Sequence, residues 1–256
     1  MKDFFNYDAN QIKNAGYALF GRVHVFIIIL CFLFIFLSIF IYRRKLSAGR
    51  TTSMCRLYAI IPVFLIFIRS IYVIICGVSI IYELPLHLCS MTAFICMIFE
   101  FIRPSFFRSV LGQTLYALCL PGALMAVLFP DGTSYPPIHF ITIESHMFHA
   151  LIIAYICLRI SDGSIIPSIK EVYKCIVFLL VVVPLVLLFD SHFNTNYMFL
   201  MHPSNGSPLT CFYTYYSYGG YLTGYGIVVL AVISLMNLSG MFVTRLIRLS
   251  TNTHAL

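Results

Sequence analysis

Arg69, Glu83, His87, Cys89, Glu144, His146 and His149 all lie inside or at the edge of strongly apolar runs. An ionisable group at membrane depth costs about 3 kcal/mol or more unless it is paired or wetted, so each is a candidate for function. Histidine titrates near neutrality and a neighbouring carboxylate fixes its tautomer, so His146 and His87 with Glu83 or Glu144 make a general acid/base set. In that set His146 is the base, and His87 is a second acid/base or an oxyanion donor. Cys89, next to His87, is the candidate nucleophile, because a thiol in lipid stays protonated unless a histidine activates it. Arg69 needs an acidic partner, for which Glu144 is best placed in depth, or it holds a phosphate. The plain alternative is an Arg–Glu pair that only locks two helices together. Two histidines and a carboxylate also suit a divalent metal, but His146-x-x-His149 lacks the i, i+4 spacing of a zincin helix, and no metal is assigned.

Seven apolar spans must position these groups: 23–42, 57–81, 84–102, 109–129, 138–158, 172–189 and 218–242. Each is long enough to cross a hydrocarbon core of about 30 Å. On the third, Glu83 and His87 are four apart and share a helix face, with Pro85 tolerated in the first turn. On the fifth, Glu144, His146 and His149 lie about 9, 12 and 16 Å below the start, and Arg69 lies about 18 Å along the second from its opposite end. These depths converge on one half of the bundle. Glu100 with Arg103 reads as a local i, i+3 ion pair, and His24, His139, His192, His202 and His254 read as interfacial or solvated.

Orientation follows from lysine and arginine. Twelve lie on one side (43, 44, 45, 50, 56, 103, 108, 159, 170, 174, 245 and 248) and three (2, 13 and 22) in the N-terminal tail. The positive-inside rule then places the N-terminus outside and the C-terminus in the cytoplasm, with the polar groups opening outward.

Composition agrees. Of 256 residues 61% are hydrophobic and only 10% charged, and the mean hydropathy is +0.95, which excludes a soluble fold. The fold class is therefore all-α: a polytopic membrane protein, one seven-transmembrane helix bundle over residues 1–256, without internal repeats. The net charge of +7 sits mostly in short loops, where the anionic leaflet explains it, so the partners are membrane lipids and not nucleic acid. The nine cysteines form no C-x-x-C pair, and no cofactor is implied. The last span has no lysine for a retinal Schiff base. Zero tryptophan with abundant Ile, Phe and Tyr suggests an AT-rich genome, and a bacterial plasma membrane is the default location.

Four segments in order, ELPLHLCSMTAF (83–94), LPGALMAVLFPD (120–131), HFITIESHMFHALIIAYICL (139–158) and FNTNYMFLMHPSNGSPL (193–209), resemble the YwaF-type integral membrane proteins, a family that also includes the eukaryotic transmembrane protein 164. The resemblance implies a cysteine-dependent acyltransferase that moves polyunsaturated acyl chains onto lyso ether phospholipids. It carries the family histidines onto His87 and His146. The family cysteine falls on Leu86, which cannot attack an ester, so a covalent route would pass to Cys89, one turn deeper. The matching Asn194 and Asn196 in the long loop 190–217 imply a lid over the site, or Asx turns that only order the loop. Two functions follow: a lipid-directed acyltransferase or esterase, or a transporter or receptor in which the same groups bind a small polar ligand or relay protons.

Overall fold

The computed structural model describes residues 3–12, 16–45, 48–203 and 209–253. Lys2, Lys13, His254 and the end of the fourth resembling segment (204–208) lie outside the described residues. Among the described residues eight α-helices run in chain order: α1 (Arg22–Lys45), α2 (Ala48–Ile75), α3 (Leu88–Phe101), α4 (Phe106–Thr114), α5 (Leu120–Leu128), α6 (Phe140–Ser161), α7 (Val172–Phe193) and α8 (Thr210–Thr253). No strand occurs among the described residues. Among the described residues six helical stretches are long and apolar enough to cross a membrane: Arg22–Arg44, Gly49–Ile75, Phe106–Ser134, Phe140–Ser161, Ile169–Phe193 and Thr210–Phe242.

The third expected span is different. Its helix, α3, has 14 residues, about 21 Å of rise, because the preceding Glu83–His87 segment is not helical. Pro85 drives the residue before it out of the helical region, and the helix starts only after the N-cap His87. Glu83 and His87 therefore do not share a helix face; both stand on irregular backbone at the mouth of α3. Non-helical backbone beside membrane spans is stable where protein covers it, and here α2 and α6 pack against α3.

Residues 115–119, between α4 and α5, form a π-helical turn, Leu115–Cys119, with all five side chains buried. Pro121 explains it: proline has no N–H for the carbonyl four residues back and its ring crowds that carbonyl, and a wider turn relieves both.

The chain divides into two compact units. The first comprises 1–102 and 120–164, where α6 is the central helix, flanked by α1, α2, α3 and α5. Much of α1 faces outward, with Phe26, Ile29, Leu33 and Phe36 exposed as a lipid-facing surface. The second comprises 103–119 and 165–256, where α4 packs on α7 and the π turn on α8. There Tyr116 donates to the carbonyl of Met236 at 2.7 Å, and Gly240 lies so close to Tyr116 and Pro167 that a side chain would not fit. α8 is longer than a bilayer needs and kinks at Ser217 (φ 59°), leaving a short aromatic helix ahead of the crossing segment.

Candidate functional site

The Arg69–Glu144 pair is present, and Glu83 joins it. Arg69 of α2 donates from Nε to Glu83 Oε2 at 2.9 Å, from Nη2 to Glu83 Oε1 at 3.4 Å and from Nη1 to Glu144 Oε2 at 3.2 Å. Tyr7 donates its hydroxyl to Glu83 Oε1 at 3.2 Å. Each of the three nitrogens of Arg69 thus donates to a carboxylate. Burial, followed by the charge of Glu83, pushes the Tyr7 phenol up to about 12, so it stays a donor.

A strap of N-terminal residues covers this cluster. Tyr72, His139 and Tyr135 donate to the carbonyls of Phe5 (3.3 Å), Asn6 (3.2 Å) and Tyr7 (2.6 Å) respectively. Phe5 packs on Tyr72 and Phe140, and Tyr17 donates its N–H to the Thr133 carbonyl at 2.9 Å. His139, expected to be solvated, is fully buried: it N-caps α6 by accepting from the Ile141 N–H and stacks on Tyr135. The reason is that both of its ring nitrogens find backbone partners, which an apolar-run reading cannot show.

His146 lies two residues from Glu144, about 200° around α6, so the two face different flanks of the helix. His146 Nδ1 is 2.8 Å from the Thr142 carbonyl and can only donate to it, which places the lone pair of the neutral ring on Nε2. Nε2 is buried and has no hydrogen-bond partner among the described residues. His24 of α1 packs against it, ring centroids 6.5 Å apart. His24 was expected at the interface; it is fully buried, with Nδ1 accepting from the Phe20 N–H at 2.9 Å and Nε2 donating to the Val127 carbonyl at 3.2 Å. Phe20 adopts a left-handed backbone (φ 56°) to aim that N–H. His149 is held like His146, with Nδ1 on the Ser145 carbonyl at 2.7 Å.

Cys89 is partly buried in the first turn of α3, and His87 caps the same helix. Asn194 and Asn196 belong to the second unit. Asn194 ends α7 in the left-handed region (φ 54°), while Asn196 Oδ1 accepts from the N–H groups of Met201 and His202 at 2.9 and 3.2 Å. Asp190, unnoticed in the sequence, is the fully buried post on which this loop is wound: Oδ1 accepts from the Thr195 hydroxyl at 2.6 Å and the Tyr197 N–H at 3.0 Å. Among the described residues no group of three or more His, Cys, Asp or Glu could hold a metal ion.

At the other end of α6, Glu100 pairs with Arg159 and not with its sequence neighbour Arg103. Tyr155 donates to Glu100 at 3.0 Å, and Arg159 also reaches Asp162 at 2.7 Å. The i, i+3 expectation fails because α3 ends before Arg103, and the buried carboxylate is met by a guanidinium across the helix interface.

The TMEM164 family model matches residues 19–237, most of the chain and nearly all of both units. No curated protein and no solved structure matches. The matched stretch contains Arg69, Glu83, His87, Cys89, Glu144, His146, Asn194 and Asn196.

Proposed function

The chain belongs to the TMEM164 family and is a multi-pass membrane protein, and from that premise we propose that it is a lipid-directed enzyme acting by acyl transfer or ester cleavage, with His146 as general base. One observation carries the reading. The Nδ1 contact to Thr142 fixes the tautomer of His146, and the basic Nε2 is buried without a partner among the described residues. A base needs that arrangement: an oriented lone pair, screened from bulk water. His87, at the mouth of α3, is the second acid/base or oxyanion donor, and Arg69, Glu83 and Glu144, paired on a different flank of α6 from His146, hold α2, the entry to α3 and α6 together. Asn194 and Asn196 order their own loop in the second unit. The membrane placement is seven crossings, with α3 and its irregular entry as the third, the N-terminus outside and the C-terminus in the cytoplasm of a bacterial plasma membrane. Support comes from the 12 to 3 division of basic residues.

His146→Gln keeps a hydrogen-bonding side chain but cannot titrate near neutrality, so it lowers lipid turnover about 100-fold while folding persists. The measurement is mass spectrometry of phospholipid and lysophospholipid products from purified protein in detergent. Cys89→Ala decides the route: a covalent acyl-cysteine predicts a loss as large as that of His146→Gln, whereas direct attack on the ester predicts almost none. Absence of product from the wild type across diacyl and ether lysolipids would transfer the site to the transporter or receptor reading. Placement is tested separately: a cysteine introduced at Ser134 reacts with impermeant thiol reagent from outside and one at Ser168 does not. The reverse pattern inverts the topology.

A further inference from the structure

Two buried polar atoms in the first unit have no hydrogen-bond partner among the described residues, His146 Nε2 and the Tyr17 hydroxyl. Both side chains pack on the same ring. Tyr17 and His24 have centroids 5.8 Å apart, and His146 and His24 6.5 Å apart. His24 satisfies neither of them, since one of its nitrogens accepts from Phe20 and the other donates to Val127. Tyr17 is fixed by its own backbone, whose N–H is bonded to Thr133, and Gly16 beside it (φ 99°) presses so close to the Thr133 carbonyl that a side chain would collide. Such anchoring positions the residue although its hydroxyl has no hydrogen-bond partner among the described residues. Each unmade hydrogen bond of a buried group costs about 1–3 kcal/mol, so two around one ring call for a common guest.

The two atoms have opposite needs. His146 Nε2, with its proton on Nδ1, requires a donor. The Tyr17 hydroxyl requires an acceptor, and burial raises its phenol above the usual value, so it keeps its proton. A hydroxyl group is the smallest one that supplies both. We propose that His146 and Tyr17 together form the binding site for the attacking hydroxyl of the reaction, either a lipid alcohol or water, with Tyr17 as its second hydrogen-bond partner.

This rests on the reading of His146 as a base. In the step it implies, the hydroxyl oxygen bonds to the carbonyl carbon of a lipid ester while its proton passes to His146 Nε2. The bond from that carbon to the leaving alkoxide then breaks, and the alkoxide takes the proton back from His146. A lipid alcohol yields a new ester and water yields a free fatty acid; no other reactant is needed. Tyr17 orients the nucleophile by donating to its oxygen and leaves the proton count unchanged.

The test uses the full chain in detergent, labelled with ¹⁵N-histidine. The Nε2 signal of His146 is identified by its loss in His146→Gln and followed with and without a monoacylglycerol or its fully O-methylated analogue, which lacks the donor. If the guest is a lipid alcohol, the alcohol shifts the signal and the ether does not, and Tyr17→Phe weakens alcohol binding about tenfold. If the guest is water, the lipid-free signal already reports a hydrogen bond that Tyr17→Phe perturbs, and ¹⁸O from labelled water enters the released fatty acid with a kcat/KM about tenfold lower in that variant. Tyr17→Phe keeps the ring on His24, so unchanged thermal unfolding separates lost hydrogen bonding from lost packing. Insensitivity of both arms to Tyr17→Phe overturns the proposal. Tyr17-dependent alcohol binding without any ester turnover would keep the hydroxyl site and remove the catalytic reading; turnover with Tyr17→Phe equal to wild type would do the opposite.

Discussion

The two ends of α6 carry similar inventories and use them differently. Each has one arginine and two carboxylates, with Arg69, Glu83 and Glu144 joined by one tyrosine donor, Tyr7, and Arg159, Glu100 and Asp162 by two, Tyr155 and Tyr42. Glu144 and Arg159 are about 22 Å apart along the helix. At the Arg159 end the side chains of Arg159 and Glu100 are 11% and 3% exposed, whereas Arg69 is 32% exposed. The two buried atoms of the first unit without a hydrogen-bond partner among the described residues, those of Tyr17 and His146, belong to the Arg69 end. Ion pairing therefore does not distinguish a site from a lock. What distinguishes them is whether neighbouring polar groups are satisfied within the protein, and at the Arg159 end they are.

The comparison breaks first at its rigid end. Arg159→Met leaves Glu100 buried without its guanidinium, and the expected loss is about 3–5 kcal/mol in denaturant unfolding of the detergent-solubilised protein. Arg69→Met also takes the guanidinium from the buried Glu144, but water reaches the 32% exposed position of Arg69 and Tyr7 still donates to Glu83, so the expected loss is smaller, about 1–3 kcal/mol. Equal losses would erase the distinction between the ends. A sharper measurement is the cycle of Arg69→Met with Glu144→Gln, in which the double variant is milder than the sum of the singles because each removes the other's burial problem. Strict additivity would show that the observed 3.2 Å contact carries no energy.

The smallest effect is expected at the strap. Burial lowers the pKa of His139, against the opposing influence of the Asn6 carbonyl, so the folded state favours the neutral ring that both accepts from Ile141 and donates to Asn6. The folded pKa lies below the unfolded value, near 6.5. This contribution is complete above about pH 6.5 and declines as pH falls toward the folded pKa. The protection of the amides of residues 3–12, relative to intrinsic exchange at each pH, should therefore fall on acidification, and His139→Gln should flatten that dependence. An unchanged acid response in the variant would place the titrating group elsewhere.

Much of the membrane architecture was legible because apolar runs of helical length have few alternatives, and the depth argument brought Arg69 to Glu144 because both lie a countable number of turns from a span end. Three things were not legible. Pro85 was compatible with a first helical turn or a break, and the helix in fact starts only after His87. Residues His24 and His139 look interfacial by position, yet backbone groups distant in sequence, Val127 and Asn6, satisfy and bury them. The roles of Tyr17 and Asp190 depend on what their polar atoms meet in space, and their spacing carries no signal of it. The facing of Glu144 and His146 was readable: two residues on a helix point to different flanks, a constraint that depth alone ignores.

The grip on the N-terminal strap is placed on its main chain. Tyr72, His139 and Tyr135 reach the carbonyl oxygens of Phe5, Asn6 and Tyr7, atoms that every amino acid supplies. Those three contacts are indifferent to the spelling of the tail, whose own side chains hold through Phe5 and Tyr7, and the rest of the recognition falls on the three residues that grip it. Diverging copies of this protein can rewrite Asn6 without losing the cover over Arg69, while a change at Tyr135 or His139 releases a segment whose own letters are intact. Inheritance of the strap is thus recorded far from the strap, in side chains that a comparison of N-termini would never align.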